Sequence, residues 1–168
     1  SLIGLLSAYR VKMTAMPQMV ALYNGFGGAA SLLVAAVEFV YKSQGAGVEG
    51  ALALGSSVPI HLSIIIGGIC FTGSMAAFAK LQELISGKPI QFPGQHVLNA
   101  LLLLVCVGGA VALSIQPNSA WSMPVFAGLV AISLALGWLV VIPIGGADMP
   151  VVVSLMNSYS GMAVAAIL

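Results

Sequence analysis

Long, almost uncharged apolar runs constrain this chain more than any other feature. Five stretches, at about 17–41, 54–79, 97–115, 121–142 and 149–168, each approach or exceed the roughly 20 residues a helix needs to cross a hydrocarbon core. A shorter run over 1–9 ends at Arg10 and Lys12. Such a run rises only about 13 Å as a helix, so the chain is expected to start inside a helix and to be a piece of something longer. It has neither the basic leader nor the small-residue cleavage site of a signal peptide. In lipid only helices and closed barrels satisfy every backbone polar group, and these runs are too long and continuous for barrel strands. The predicted fold is therefore all-α: a polytopic transmembrane helix bundle of one partial and about five full spans, forming a single transmembrane domain over 1–168.

Composition excludes the alternatives. Of 168 residues, 60% are hydrophobic and 5% charged, where a soluble domain carries roughly 25% charged residues. Disorder needs less apolar surface, and nucleic-acid binding needs a basic footprint that five Lys and Arg residues do not make. Cys70 and Cys106 stand alone in apolar runs, with no zinc, redox or disulfide spacing around them. They are expected as small buried side chains, and no metal site is predicted. Alternating the loops puts Arg10, Lys12, Lys80 and Lys88 on one side and Lys42, with Glu49, on the other. By the positive-inside rule the first side is cytoplasmic, or faces the matrix in a mitochondrion. Met-Pro recurs at three span starts, Met16-Pro17, Met123-Pro124 and Met149-Pro150, where a first-turn proline loses no helical hydrogen bond.

Polar residues inside the spans carry the functional question, because polar groups at membrane depth are costly. In the last span Ser154, Asn157, Ser158 and Gly161 lie at i, i+3, i+4 and i+7, one helix face. That face either hydrogen-bonds a neighbouring helix or lines a wet path, where an amide can donate to and accept from a water chain. Asn24, Gly28, Ser31, Ala35 and Glu38 form a similar stripe in the second span, with Glu38 placed to pair with Lys42 at i+4. Gly25, Gly27 and Gly28 follow no strand, so they suit close helix approach better than phosphate binding. In the third span Ser57, His61, Gly68 and Thr72 share a face. His61, towards the outer leaflet, can take up and release protons near neutral pH, or can be a structural histidine bonded to a neighbouring helix. His96 follows Pro93-Gly94-Gln95 at a loop-to-helix junction and reads as solvated or capping. Asp148 is placed to cap the last helix at the inner rim, and Gly145 and Gly146 before it suggest tight packing or a hinge. No nucleophile with its base, no carboxylate pair and no phosphate loop is present, so the expected function is passage through the membrane or mechanical coupling within it.

These motifs are specific enough to resemble a family. Residues Arg10-Val11-Lys12-Met13-Thr14-Ala15-Met16-Pro17-Gln18-Met19-Val20-Ala21-Leu22, then Phe71-Thr72-Gly73-Ser74 with Ala77-Phe78-Ala79-Lys80-Leu81, then Gly145-Gly146-Ala147-Asp148-Met149-Pro150-Val151-Val152-Val153-Ser154 running on to Asn157-Ser158-Tyr159-Ser160-Gly161, resemble the beta subunit of proton-translocating nicotinamide nucleotide transhydrogenase, in order along the whole chain. The resemblance implies an oxidoreductase and translocase of the bacterial inner membrane, or the mitochondrial inner membrane in a eukaryote. Such an enzyme couples proton movement to hydride transfer between NAD(H) and NADP(H). It implies that this stretch binds no cofactor and is not catalytic for hydride transfer on its own. Its partners would be alpha-subunit membrane helices with the NAD(H)-binding domain, a C-terminal NADP(H)-binding domain, and a second copy of the whole enzyme in a homodimer.

Residue by residue, Asn157 matches the family asparagine of the proton path. Asp148 matches the aspartate at the cytoplasmic rim, where the membrane domain communicates with the NADP(H) domain. The family histidine lies on the helix before Phe-Thr-Gly-Ser, as His61 does, but with a longer spacing. A difference of five residues turns a helix by about 140°. The relay is thus His61 or a histidine on a partner helix, with Asn157, Ser154 and Ser158 positioning water and Asp148 coupling at the rim. Two other readings explain the helices: a secondary transporter or channel without a redox partner, and a structural scaffold for assembly.

Overall fold

The computed structural model describes residues 2–43, 54–117 and 119–167. Six α-helices follow in order: α1 (Leu2–Arg10), α2 (Met16–Ser43), α3 (Leu54–Leu81), α4 (Gln95–Ile115), α5 (Ser122–Val141) and α6 (Met149–Ile167), with 3-10 turns at Met13–Ala15 and Gly146–Asp148. Helices α2 to α5 are long and apolar enough to cross a membrane. Helix α6 has 19 residues, a length of about 28 Å. The fold is all-α, and the molecule is an integral membrane protein. Pro17, Pro124 and Pro150 all fall in first turns. Glu49 and the final residue Leu168 lie outside the described residues.

Helix α3 is the hub, packing against α2, α4, α5 and α6, while α2 also meets α6 and α4 meets α5. The sorting of side chains is that of a membrane bundle. Small and polar residues such as Ala21, Ser31, Ala35, Ser63, Ser74, Ala76, Ala77 and Ser133 are buried, and Leu33, Val34, Val37, Leu101, Leu104 and Val105 face outward. Without a hydrophobic drive between helices in lipid, small residues win the interfaces because they let backbones approach. Gly28 and Gly67 show this most clearly. A Cβ on Gly28 would sit 2.7 Å from Phe71 N, and one on Gly67 would sit 2.8 Å from Gly28 O. Two apolar clusters fill the core. One, around Phe39, Ile64, Cys106, Leu113 and Leu136, lies towards the end where α2 stops. The other, around Ala21, Cys70, Val141, Met149 and Val153, lies towards the opposite end, where α2 and α6 begin.

At the end of the bundle where α2 and α6 begin, the rim, the loops are held by side chains that cap helix C-termini from other helices. Pro143 has no N–H to offer Leu139 O, and buried Gln95 donates to that carbonyl instead (2.9 Å). Gln18 at the start of α2 likewise donates to Leu81 O at the end of α3 (3.2 Å). Glu83, with φ of 57°, closes α3 in a Schellman arrangement: Leu84 N donates to Ala79 O (2.9 Å) and Glu83 N to Lys80 O (3.1 Å).

Candidate functional site

Where α2, α3 and α6 meet, three uncharged polar side chains join across the bundle. Asn24, 6% exposed, donates through Nδ2 to Ser74 Oγ (2.7 Å). Ser160 Oγ donates to Asn24 Oδ1 (3.2 Å), or alternatively to Asn157 O within its own helix (3.0 Å). Beside them the Cys70 thiol donates to Met156 O (3.3 Å), and Ser74 Oγ lies 3.8 Å from Met156 Sδ. The α2 stripe predicted from its spacing is real: Asn24, Gly28, Ser31 and Ala35 are all buried. Beyond them Glu38 pairs with Lys42 at 2.8 Å, as i+4 spacing allows. An amide that donates and accepts at once orients the two hydroxyls beside it and can anchor a water chain, and the hydroxyls can each accept a proton as they give one up. The trio has no ionisable member and so cannot store one.

His61 belongs to a different place. It is 13 residues before Ser74 on α3, about 20 Å along the helix, at the end of the bundle away from the rim. It is 1% exposed, its Nδ1 is 3.1 Å from Ser114 Oγ on α4, and its ring sits 5.6 Å from that of Phe39, which stacks on Phe126. The Ser114 hydroxyl donates to Ala110 O (2.8 Å) in the tautomer that carries the ring proton on Nδ1, and can donate to Nδ1 in the tautomer that carries it on Nε2. Among the described residues that buried Nε2 has no hydrogen-bond partner. His61 and Ser114 are the polar groups lining an otherwise apolar crevice of about 240 Å³ between α3 and α4. Ser31 Oγ, also buried without a partner, lies seven residues after Asn24, about 10 Å along α2 towards the His61 end.

The predicted α6 stripe forms one face, and that face points away from these helices. Ser154, Asn157, Ser158 and Gly161 are exposed, and among the described residues the stripe's only side-chain hydrogen bond runs from Ser158 Oγ to Ser154 O (3.2 Å). The inward face is Met149, Val153, Met156 and Ser160, at i, i+4, i+7 and i+11. That spacing was the signal for Ser160, hidden because three of its four members are apolar. Asn157 and Asn24 are thus on opposite sides of α6, joined only through Ser160.

Asp148 ends the 3-10 turn before α6 with its carboxylate exposed. It makes no side-chain hydrogen bond among the described residues, so the cap expected of it is not formed by its side chain. Gly146 N donates to Gly87 O (2.8 Å), yet a Cβ on Gly146 would meet only ordinary contacts at 3.5 Å or more. The glycine pair is therefore not demanded by packing. Lys80, placed beyond its span by the sequence, is inside α3 and 2% exposed. His96 is exposed at the start of α4, and Cys70 and Cys106 are free and buried, as their positions suggested.

The profile of the NAD(P) transhydrogenase beta subunit matches residues 1–167. The chain belongs to that family. It is 45% identical over 166 residues to NAD(P) transhydrogenase subunit beta of Rhodospirillum rubrum, covering 98% of this chain and 35% of that protein. The same protein from a named strain of that species gives the same figures. The chain thus spans about a third of the length of the curated relatives it matches.

Proposed function

We propose that this chain is a single transmembrane domain within a longer NAD(P) transhydrogenase subunit, through which the complete enzyme couples proton passage to hydride transfer between NAD(H) and NADP(H). The observation that carries this is the Ser160–Asn24–Ser74 chain, a set of hydrogen-bonding groups spanning three helices at membrane depth. A bundle needing only stability would fill such a junction with small apolar residues, since interhelical hydrogen bonds in membranes contribute only about 0.6 kcal/mol each.

In this reading a proton enters at the outer end. His61 or a histidine on a partner helix holds it, and water joined to Ser31 Oγ bridges to Asn24. Ser160 and Ser74 hand it on towards the inner rim. Asn157, Ser154 and Ser158 position water against companion helices on the outward face of α6. Asp148 at the rim meets the NADP(H)-binding domain. The companions are alpha-subunit membrane helices, the NAD(H)-binding domain and a second copy of the enzyme. Both nucleotides bind in those soluble domains. The membrane is the bacterial inner membrane, with Arg10, Lys12, Lys80, Lys88 and Asp148 at the cytoplasmic end.

The test uses the complete enzyme in liposomes with an internal pH dye. Asn24→Ala should lower proton uptake and coupled hydride transfer about tenfold or more, a barrier increase of roughly 1.4 kcal/mol, while assembly is retained. Loss of assembly with normal proton uptake per assembled enzyme would return the trio to packing. His61→Ala in parallel assigns the relay: collapse of uptake places it at His61, and persistence places it on a partner helix.

A further inference from the structure

A lysine buried without a carboxylate partner is unusual, and Lys80 is one. Its ammonium donates to Ile142 O (2.5 Å), Ile144 O (2.7 Å) and Lys88 O (3.4 Å). Three N–H donors meet three carbonyls, which is the full capacity of the group. One of the carbonyls, Ile142 O, caps the C-terminal end of α5, where the last C=O groups lack helical partners and the helix dipole is negative, and Ile144 O lies in the turn between α5 and α6. The third belongs to the loop between α3 and α4. The same loop is stitched to the α5–α6 turn by Gly146 N to Gly87 O (2.8 Å) and Ile90 N to Ile142 O (3.3 Å). Among the described residues the one ion pair is Glu38–Lys42, at the other end of the molecule. The charged groups around the rim, Glu83, Lys88 and Asp148, are exposed and do not reach the Lys80 ammonium. One cation on α3 therefore holds the end of α5, the α3–α4 loop and, through them, the turn that carries Asp148.

The same helix carries Ser74, six residues earlier and about 9 Å away. A helix is stiff over that distance, and the hydrogen bonds of Lys80 to Ile142 O and Ile144 O are short enough to have little slack: a displacement of about 1 Å takes them to the limit of hydrogen-bond range or beyond. We propose that Lys80 is a positioning residue by which α3 sets the α5–α6 turn, so that a shift of α3 at the Ser160–Asn24–Ser74 trio is handed to Asp148 at the rim. The proposal rests on the proton-path reading of that trio. It needs a compact ammonium: a planar guanidinium presents its donors as a fork and does not match three converging carbonyls.

The experiment reads the rim directly. A cysteine pair, Gly87→Cys with Gly146→Cys, is placed in the complete enzyme in liposomes, where a Cβ on Gly146 is 3.5 Å from Gly87 Cα. The native thiols Cys70 and Cys106 are buried and do not compete. Disulfide formation under a mild oxidant is timed with and without a proton gradient, beside proton uptake in the same liposomes. With Lys80 the rate should change about fivefold or more when the gradient is imposed, the lower range of a site-to-site coupling. With Lys80→Met that response should vanish while assembly persists. Lys80→Arg, which keeps the charge, should restore less than half of it. A Lys80→Met enzyme that responds like its parent overturns the proposal. If Lys80→Met does not assemble, Lys80→Arg decides alone: a weakened response supports the tie and an unchanged one overturns it. A parent that takes up protons with a cross-linking rate blind to the gradient also overturns it. A parent that takes up no protons instead defeats the proton-path reading.

Discussion

Glu83 shows how one residue can be held against its own preference. Its φ of 57° is the left-handed conformation, which costs a side-chain-bearing residue roughly 1–2 kcal/mol and glycine almost nothing. The turn tolerates it because the two Schellman hydrogen bonds to Ala79 O and Lys80 O stop α3 just past Lys80. Glu83→Gly should therefore raise stability by about 1 kcal/mol in detergent, seen as a higher thermal midpoint with activity unchanged. An unaltered midpoint would mean that the Glu83 side chain contributes a contact of equal value.

Between elements, the α2–α3 contact is set by backbone, with Gly28 and Gly67 facing each other too closely for any side chain. Gly28→Ala would put a Cβ 2.7 Å from Phe71 N and 2.9 Å from Gly67 O. Neither atom can move without its helix, so the helices must separate, at about 1–3 kcal/mol. Gly27, one residue earlier, has open space around it. Gly27→Ala should be neutral or slightly stabilising, since alanine is the better helix former by about 1 kcal/mol. Thermal midpoints of the two variants side by side check this. Equal shifts would show that the helix pair is more compliant than its geometry implies. The same contact keeps Asn24, one turn before Gly28, within reach of Ser74.

For the whole molecule, the face left over matters as much as the core. Helix α6 turns Met149, Val153, Met156 and Ser160 inward and presents Ser154, Asn157 and Ser158 outward. An amide facing lipid is costly, so that face calls for companion helices. Because Asn157 makes no side-chain hydrogen bond among the described residues, Asn157→Ala should change the stability of this bundle by no more than about 0.5 kcal/mol. In the complete enzyme it should lower proton uptake more than it lowers assembly. Measuring the two on one preparation separates the cases: lost assembly with normal uptake per assembled enzyme would make the face an interface and nothing more.

What the chain determined alone is what depends on local pattern. The apolar runs foretold six helices with ends shifted by about two residues, because hydrocarbon permits few other structures. The first-turn prolines, the α2 stripe and the Glu38–Lys42 pair were legible for the same reason: each depends on spacing within one helix. Tertiary structure decided which polar residues meet. Asn24, Ser74 and Ser160 are 50 and 136 residues apart along the pairs they form, and helix periodicity says which residues share a face but not which neighbour that face will find. For that reason Asn157 and His61 stood out in the sequence, yet the structure puts one on the outside of α6 and the other about 20 Å from the trio. In the sequence Lys80 reads as a charge just beyond its span, with Glu83 at i+3 as the nearest carboxylate. The two closest carbonyls that accept from Lys80 belong to Ile142 and Ile144, and only the packing of α5 against α3 brings them there.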